Sequence, residues 1–596
     1  MVPHPAPLRG GTFAHTPGTL RLVWRSSPRL TVALGGLTLV AALLPLGVAY
    51  AGKAIVDAVV ARSSAATLRW VLVELALAAS LALVSRGLSL VRTVLGARLG
   101  VDINVAILDK ALTLELAHFE DSEFYDQLTR ARREASSRPV ALVTDVFQLL
   151  QNVITLVGYG ALLIRFSGWA VVGLVIATVP ATLAEMRFSK QAFRLRNWRS
   201  PESRKLLYLE YVLANDEHAK EVKLFGLGKL LLGRYKSLAE TFFKEDRSLA
   251  VRRAAITQAL ALFGTGMFYA CYVLMALAAA AGQISLGEMT LYVVAFRYGQ
   301  QAFQSVLNAL GSMYEHGLYM SNLFQFLAIP SPSPSPTASP TASPTPTGIR
   351  FEKVGFRYPN ATGWALRNVD LDIPAGQSLA LVGQNGAGKT TLIKLLTRLY
   401  EPTEGRILLD GRDLKDWNHD VLLERFGVVF QDFNQYQMRL RENVGLGSVE
   451  HLDDTPRVSR AIDRGGAQGL VDELPAGQDT QLGHWFKDGT ELSGGQWQRV
   501  ALSRAFMREE ADILVLDEPT AALDAEAEHA VYERFRQLAH GRTTILISHR
   551  FPTARMADRI CVLEAGQIVE QGTDADLVLA GGRYAHLFAL QAAGYQ

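Results

Sequence analysis

The first half of this 596-residue chain contains apolar runs that are long enough to cross a lipid bilayer. A membrane-spanning helix needs about 20 predominantly apolar residues, and the first run, residues 30–52, has no charged side chain. The chain is therefore expected to contain an all-α transmembrane domain. Six segments are predicted to span the membrane: 30–52, 70–85, 147–164, 168–184, 254–282 and 289–310.

The composition supports a membrane protein and excludes several other classes. Hydrophobic residues make up 49% of the chain and charged residues 20%, against about 25% charged in typical soluble domains. A net charge of +3 is too small to indicate a nucleic-acid-binding protein. Two cysteines, Cys271 and Cys561, are too few and too far apart for a disulfide framework or a zinc site.

The spacing of the spans predicts their orientation. Two long connections, 86–146 and 185–253, are rich in Arg and Lys, whereas the turn at 283–288 has neither. The positive-inside rule places both long connections and both chain termini in the cytoplasm. Apolar and charged residues alternate at three- and four-residue intervals in the long connections, so the spanning helices are expected to continue into the cytoplasm.

A change of composition separates the membrane half from a second domain. Residues 331–347 consist almost entirely of Pro, Ser, Thr and Ala, and such a segment favours an extended tether because it cannot bury a core. A modified stalk is the less favoured alternative. The predicted organisation is a cytoplasmic segment 1–28, a transmembrane domain 29–328, a linker 329–348 and an α/β P-loop NTPase domain 349–596.

A glycine-rich loop in the second domain predicts ATP binding. The apolar strand pattern at 378–382 runs into GQNGAGKTT, which matches G-x-x-x-x-G-K-[ST] between a strand and a helix. Backbone N–H groups of such a loop and the following helix N-terminus favour phosphate. Lys389 is expected to reach the β- and γ-phosphates, and Thr390 to ligate Mg²⁺. The predicted ATP-binding residues here are Gly383, Gln384, Asn385, Gly386, Ala387, Gly388, Lys389, Thr390 and Thr391.

Two acids follow a second apolar strand, residues 513–516. Asp517 is predicted to hold Mg²⁺, as the Walker B aspartate does. Glu518 lies one residue further, where a general base for the attacking water is needed. Taken alone, two acids after a strand are also typical of a solvated strand end. Their combination with the phosphate loop favours the catalytic interpretation.

The segment between these motifs resembles a known family. Its sequence LSGGQ is similar to the signature motif of ATP-binding cassette (ABC) proteins, and almost the whole chain resembles an exporter-type half-transporter of that family. The resemblance implies that the signature contacts ATP held by an opposing cassette, so that two chains work together. Small residues at a helix N-terminus also favour an anion on physical grounds. The signature residues are Leu492, Ser493, Gly494, Gly495 and Gln496.

The resemblance implies roles for four more residues. Tyr358 matches the aromatic residue that stacks on adenine, although an ordinary strand tyrosine remains an alternative. Gln431 matches the Q-loop glutamine, which contacts Mg²⁺ and senses the membrane domain. Asp524 matches the D-loop aspartate, and His549 the switch histidine near the γ-phosphate. Glu518, His549 and Gln431 are thus the predicted catalytic residues, and Thr390, Gln431 and Asp517 the predicted Mg²⁺ ligands.

One motif departs from the family pattern. Exporters of this family often carry T-E-V-G-E upstream of the signature, whereas residues 480–484 read TQLGH and lack both glutamates. The absence puts in doubt the usual contacts to the coupling helices, but not ATP hydrolysis. The segments 120–127 and 206–212 are the expected coupling contacts, because they lie in the two long connections.

The predicted function is ATP-driven export of an amphipathic or hydrophobic drug, lipid or peptide by a dimer of half-transporters. The expected partners are the bilayer, a second half-transporter and the substrate, with no nucleic acid, and the expected location is the bacterial inner membrane. Three alternatives stay open: a membrane ATPase that gates or regulates, one half of a heterodimer, and a soluble-type ABC ATPase, which the spans disfavour. Charged residues within spans are functional candidates, so Glu74 and Arg297 are proposed for the substrate path. Arg297 has the alternatives of snorkelling to the interface or of lying in a cytoplasmic extension.

Overall fold

The fold is taken from a computed structural model. It describes residues 16–121, 124, 128, 138–330, 347–359, 361–518, 541–548 and 551–593. The chain divides into two compact units. The first comprises Met1–Leu112 and Glu123–Pro330, and the second comprises Thr113–Ser122 and Ser331–Gln596.

The described part of the first unit is helical. One short helix, α4, belongs to the second unit, although it lies between two helices of the first unit in the sequence. Several helices of the first unit are far longer than a bilayer is thick. The helices are α1 (Thr16–Ser26), α2 (Pro28–Val60), α3 (Ser64–Leu112), α4 (Leu116–Phe119), α5 (Arg138–Phe166), α6 (Gly168–Trp198), α7 (Ser200–Ala214), α8 (Asp216–Leu224), α9 (Gly228–Ala280) and α10 (Leu286–Leu327).

Five helices of the described chain are long and apolar enough to cross a membrane, namely α2, α3, α5, α6 and α9. The sixth predicted span, 289–310, lies in α10, which is long enough but is not among the five apolar helices. At 1.5 Å per residue, α3 is about 74 Å long and α9 about 80 Å, against about 30 Å of hydrocarbon. Both helices therefore continue far beyond the bilayer, as the charge pattern predicts.

Side-chain packing joins α2, α5, α6, α9 and α10 around a core that includes Tyr159, Leu174 and Phe296. The start of α10 is fixed by polar contacts. Ser285 and Glu288 form a reciprocal capping box, which satisfies N–H groups that the first helical turn leaves unpaired. The Asp57 carboxylate at the end of α2 accepts hydrogen bonds from Ser285 Oγ at 2.8 Å and from the Gly287 N–H at 3.2 Å.

The second unit contains two β-sheets. Four antiparallel strands lie in the order β2–β1–β4–β5, and six strands in the order β10–β9–β3–β8–β7–β6, parallel except for β10. The strands are β1 (Gly348–Phe356), β2 (Leu366–Pro374), β3 (Ser378–Val382), β4 (Glu404–Leu409), β5 (Arg412–Asp413), β6 (Phe426–Val429), β7 (Ile513–Asp517), β8 (Thr543–Ile547), β9 (Arg559–Glu564) and β10 (Gln567–Gly572).

Helices cover the larger sheet, and its parallel strands are almost continuously apolar, as strands buried on both faces are. Polar residues that follow β3, β6 and β7 therefore meet at the carboxyl edge of one sheet, where ligands bind in open α/β folds. The described helices of this unit are α11 (Lys389–Leu396), α12 (His419–Glu424), α13 (Leu440–Gly445), α14 (Thr455–Arg464), α15 (Gln468–Glu473), α16 (Gly494–Phe506), α17 (Phe551–Ala554), α18 (Asp574–Ala580) and α19 (Arg583–Ala593).

Candidate active site

The glycine-rich loop joins β3 to the start of α11. Gly388 has φ +105°, and a Cβ there would lie 2.7 Å from the Ala365 carbonyl oxygen, so the position requires glycine. Lys389 Nζ donates hydrogen bonds to the carbonyl oxygens of Gly383 at 2.8 Å and Gln384 at 3.1 Å. Burial lowers the pKa of Lys389, although nearby carboxylates oppose this shift. The ammonium group is thus held inside the loop, where a phosphate would compensate its burial.

Asp517 ends β7 and is 1% exposed. Its Oδ2 accepts a hydrogen bond from the Thr390 hydroxyl at 2.8 Å, and burial raises the pKa of its carboxyl group. Within the described residues the other oxygen, Oδ1, is buried and lacks a hydrogen-bond partner. A buried carboxylate with an unpaired oxygen beside a hydroxyl fits a small hard cation such as Mg²⁺.

Glu518 and Gln431 meet across the ends of two strands. Gln431 Nε2 donates a hydrogen bond to Glu518 Oε2 at 2.9 Å. Glu518 has φ +49°, a left-handed conformation that non-glycine residues seldom adopt and that clusters at functional sites. The backbone thus leaves the regular strand geometry at Glu518, directly after Asp517.

These groups surround a cavity of about 380 Å³. Tyr358 forms part of its wall, and its hydroxyl lies 3.0 Å from Thr391 Oγ1. The predicted ATP-site residues Tyr358, Gln431 and Glu518 therefore share one cavity with the phosphate loop. The lining residues are Tyr358, Ala365, Asn385, Gly386, Ala387, Gly388, Lys389, Thr390, Thr391, Gln431 and Glu518.

The predicted signature lies at the start of α16 and does not line this cavity in the described chain. Ser493 is the N-cap of the helix: its Oγ accepts the Gln496 N–H at 3.3 Å, and its own N–H donates to Gln496 Oε1 at 2.9 Å. Ser493 is exposed. The positive end of a 13-residue helix dipole is thus open at the surface.

Two predicted site residues, Asp524 and His549, lie outside the described residues. The same is true of most of the predicted coupling segment 120–127, of which Glu120 and Asp121 are described together with Phe124. The other predicted coupling segment, 206–212, lies within α7, which is part of the long connection 185–253.

Glu120, the first residue of the predicted coupling segment 120–127, has partners next to Tyr358 that the sequence did not specify. The Glu120 carboxylate accepts hydrogen bonds from Lys394 Nζ at 2.8 Å and from the Tyr400 hydroxyl. Lys394 Nζ also lies 5.6 Å from the centre of the Tyr358 ring. Burial raises the pKa of Glu120, but the two hydrogen bonds and the Lys394 charge outweigh it, and the pKa is lowered overall. The 113–122 segment is thereby connected to the wall of the cavity.

The loop that departs from the family pattern has an unusual surface. Leu482 is buried, whereas Trp485 is 79% exposed and Phe486 52% exposed. His484 Nδ1 lies 3.1 Å from Glu491 Oε2. Aromatic side chains and a histidine therefore occupy the surface next to residues 480–484.

The first unit has a cavity of its own, of about 560 Å³, between α2, α3, α5 and α10. Glu74 lines this cavity, as proposed for the substrate path. Arg297 is exposed on α10 and is not among the described lining residues. Of the two charged candidates, Glu74 is thus among the described residues that line this cavity, and Arg297 is not.

Comparison with known proteins assigns the family. Residues 366–521 match the family described as ABC transporter. The subtilin transport ATP-binding protein of Bacillus subtilis is 32% identical over 481 residues, which cover 80% of this chain and 78% of the relative. The chain belongs to the ABC transporter family. Nisin transport ATP-binding protein of Lactococcus lactis is 26% identical to this transporter over 574 residues, covering 96% and 95% of the two chains.

Two more similarities extend over most of the transporter. An ATP-dependent lipid A-core flippase of Cupriavidus pinatubonensis is 33% identical over 481 residues, 80% of each chain. The solved structure of a bacterial Atm1-family ABC exporter with ATP bound superposes with a TM-score of 0.75 at 25% identity, covering 95% of this chain and 98% of the other. The transporter is therefore an exporter-type half-transporter, a multi-pass protein of the bacterial inner membrane that couples ATP hydrolysis to transport.

Proposed function

We propose that two copies of this transporter export an amphipathic peptide across the inner membrane. Each ATP would lie between the phosphate loop of one copy and the signature helix of the other. The exposed N-terminus of α16 supports this arrangement, because Ser493 contributes nothing to the cavity of its own chain. A homodimer is favoured because this chain carries both a complete signature and Glu518.

The peptide class rests on the relatives. The match to the relative named for nisin transport covers 96% of this chain, including the membrane half, which would contact the substrate. The lipid A-core flippase relatives make a lipid the second candidate. The cavity in the first unit has both polar and apolar lining residues, which suits an amphipathic molecule of either kind.

The ATP chemistry follows from the geometry around Glu518. Its carboxylate would take a proton from water as the water oxygen attacks the γ-phosphorus and the bond to ADP breaks. Lys389 would neutralise charge on the transferred phosphoryl group, and Asp524 and His549 retain the roles that the family resemblance implies. Thr390, Gln431 and Asp517 would hold Mg²⁺, which neutralises phosphate charge when bound.

Transport into vesicles tests the proposal. Proteoliposomes with outward-facing ATP sites receive ATP and a fluorescent amphipathic peptide or a fluorescent lipid A analogue, and uptake is measured together with phosphate release. ATP-dependent uptake of peptide that Glu518→Gln abolishes would support the proposal. Uptake of lipid alone would favour the second candidate. ATP hydrolysis without uptake of either probe would contradict export and favour a gating or regulatory ATPase.

Removing the Tyr358 ring should weaken ATP binding. We expect Tyr358→Ala to raise the KM for ATP about 5- to 20-fold, because an aromatic stacking contact contributes about 0.5–1.5 kcal/mol in addition to the buried area that is lost with the ring. Tyr358→Phe keeps the ring and loses only the hydrogen bond to Thr391, so its KM should stay within about threefold of the wild type. Equal KM values for both variants in a phosphate-release assay would contradict the stacking role.

Breaking the Glu120 contact should uncouple transport from hydrolysis. In Glu120→Gln, Lys394 loses its charged partner, and the tie between the 113–122 segment and the cavity wall weakens. We expect the ratio of peptide transported to ATP hydrolysed to fall several-fold, with a smaller change in ATP turnover. Glu115→Gln, on the same segment, serves as the matched control. An unchanged ratio in Glu120→Gln would show that this contact is only structural.

A further inference from the structure

The cavity of the first unit is built from one stripe of each of four helices. Its lining positions on α2, α5 and α10 mostly lie one, three or four residues apart, and the two on α3 lie seven apart, so each helix presents a single face. We call this cavity the polar chamber. Its described lining includes Glu74, Gln151, Asn152, Tyr159, Tyr298 and Gln301.

The charge of the polar chamber is negative. Glu74 is the only acidic or basic residue among the described lining residues. A carboxylate within a spanning segment is costly when it faces lipid, and such residues usually face an interior cavity and a partner. Glu74 is partly buried on α3 and shares the chamber lining with three residues that carry side-chain amides, Gln151, Asn152 and Gln301.

Two polar groups of the chamber lining lack hydrogen bonds within the described structure. Asn152 Nδ2 and the Tyr159 hydroxyl are both buried without a partner, and Tyr159 is 1% exposed. Leaving such a group unpaired destabilises the protein, because the group has lost its hydrogen bonds to water and gained none in return. Thr155, one turn away, shows the usual solution, because its hydroxyl donates to the Ala42 carbonyl oxygen at 3.1 Å. The two unpaired groups are therefore suited to a ligand that brings hydrogen-bonding atoms.

An aromatic pair completes the lining. The Tyr159 and Tyr298 rings stack with their centres 5.9 Å apart and their planes at 17°. Tyr298 is 50% exposed, so one aromatic face remains available. A cation within about 6 Å of such a face is attracted to it, and a carboxylate such as that of Glu74 can form a charge-assisted hydrogen bond with an ammonium group.

We propose that the polar chamber binds a primary ammonium group of the exported peptide, a lysine side chain or a free N-terminus. Glu74 neutralises the ammonium group, Tyr298 offers its ring face, and Asn152 and Tyr159 bind neighbouring polar atoms of the peptide. This assignment rests on the proposed function, because it takes an exported peptide as the ligand. It makes Glu74 a specificity-determining residue for that peptide.

Two synthetic peptides test the assignment. Both are amphipathic helices with acetylated N-termini, identical except that one has a single lysine where the other has norleucine. ATP-dependent uptake into proteoliposomes is measured over a range of peptide concentrations. For the wild-type transporter we expect a KM about tenfold lower for the lysine peptide, as a charge-assisted hydrogen bond would give. In Glu74→Gln the two KM values should become equal.

Three variants separate charge recognition from folding. Glu240→Gln makes the same change on an exposed acid of α9 outside the chamber, and should keep the tenfold preference. Glu74→Asp keeps the carboxylate and should keep most of the preference, even if Glu74→Gln folds poorly. Tyr159→Phe loses one hydroxyl and should raise both KM values several-fold without changing their ratio, whereas a purely structural tyrosine would leave both KM values unchanged.

The outcomes distinguish this assignment from the proposed function. Equal wild-type KM values for the two peptides would overturn the ammonium site and leave peptide export standing. A preference for lysine that survives in Glu74→Gln would overturn the role of Glu74. Uptake of neither peptide by a wild-type protein that hydrolyses ATP would overturn peptide export and the ammonium site together.

Discussion

Glu518→Gln is expected to lower the rate of ATP hydrolysis by about 10²- to 10⁴-fold, the usual contribution of a general base. The loss should appear in kcat, whereas the affinity for ATP should change little. The amide has the size of the carboxylate, and its oxygen can still accept the hydrogen bond from Gln431. The variant therefore removes proton acceptance while it keeps the local geometry.

Phosphate release measures kcat, and equilibrium binding of a fluorescent ATP analogue measures affinity. Glu450→Gln, the same change at an exposed position of the second unit, should retain wild-type turnover. If Glu518→Gln hydrolyses ATP within about tenfold of the wild type, another group accepts the proton. If it fails to bind nucleotide, the substitution has disturbed the site and not only its chemistry.

The parts of the fold that the sequence predicted are those set by local patterns. Uninterrupted apolar runs indicate spanning helices because lipid offers no partner for backbone N–H and C=O groups. The glycine-rich loop is equally local, since strand, loop and helix follow one another within residues 378–396. Five of the predicted spans meet the criteria of length and apolarity, and the polar residues of α10 set it apart.

The contact of Glu120 with Lys394 could not be predicted, because it joins residues 274 positions apart. Nothing in the local sequence distinguishes Lys394 from an ordinary surface lysine of an amphipathic helix. The sequence could not predict either that Glu74 lines the cavity of the first unit and Arg297 does not. Hydropathy places a charge within a span, but the direction it faces depends on how each helix rotates against its neighbours.

The conformation of the phosphate loop predicts the second large effect. Gly388→Ala should reduce ATP affinity more than about 100-fold, because two penalties combine. The residue has φ +105°, where a Cβ is strained, and the new Cβ would lie 2.7 Å from the backbone carbonyl of Ala365. A backbone oxygen cannot rotate away as a side chain can, so the loop itself must move. Lys389 would then lose its position at the start of α11.

Gly386→Ala is the matched control in the same loop. Gly386 has φ +78°, but a Cβ there would have no atom within 4 Å. Its substitution adds only the left-handed conformational penalty, about 1–2 kcal/mol, and should weaken ATP binding by no more than about 30-fold. The affinity of each variant for a fluorescent ATP analogue is measured at equilibrium. Comparing the two affinities separates the effect of the clash with the Ala365 carbonyl from the effect of backbone strain. Equal losses of ATP affinity would show that backbone strain alone explains why both positions are glycine. A much larger loss in Gly388→Ala would show that the loop must approach the Ala365 backbone more closely than a Cβ allows for the site to form.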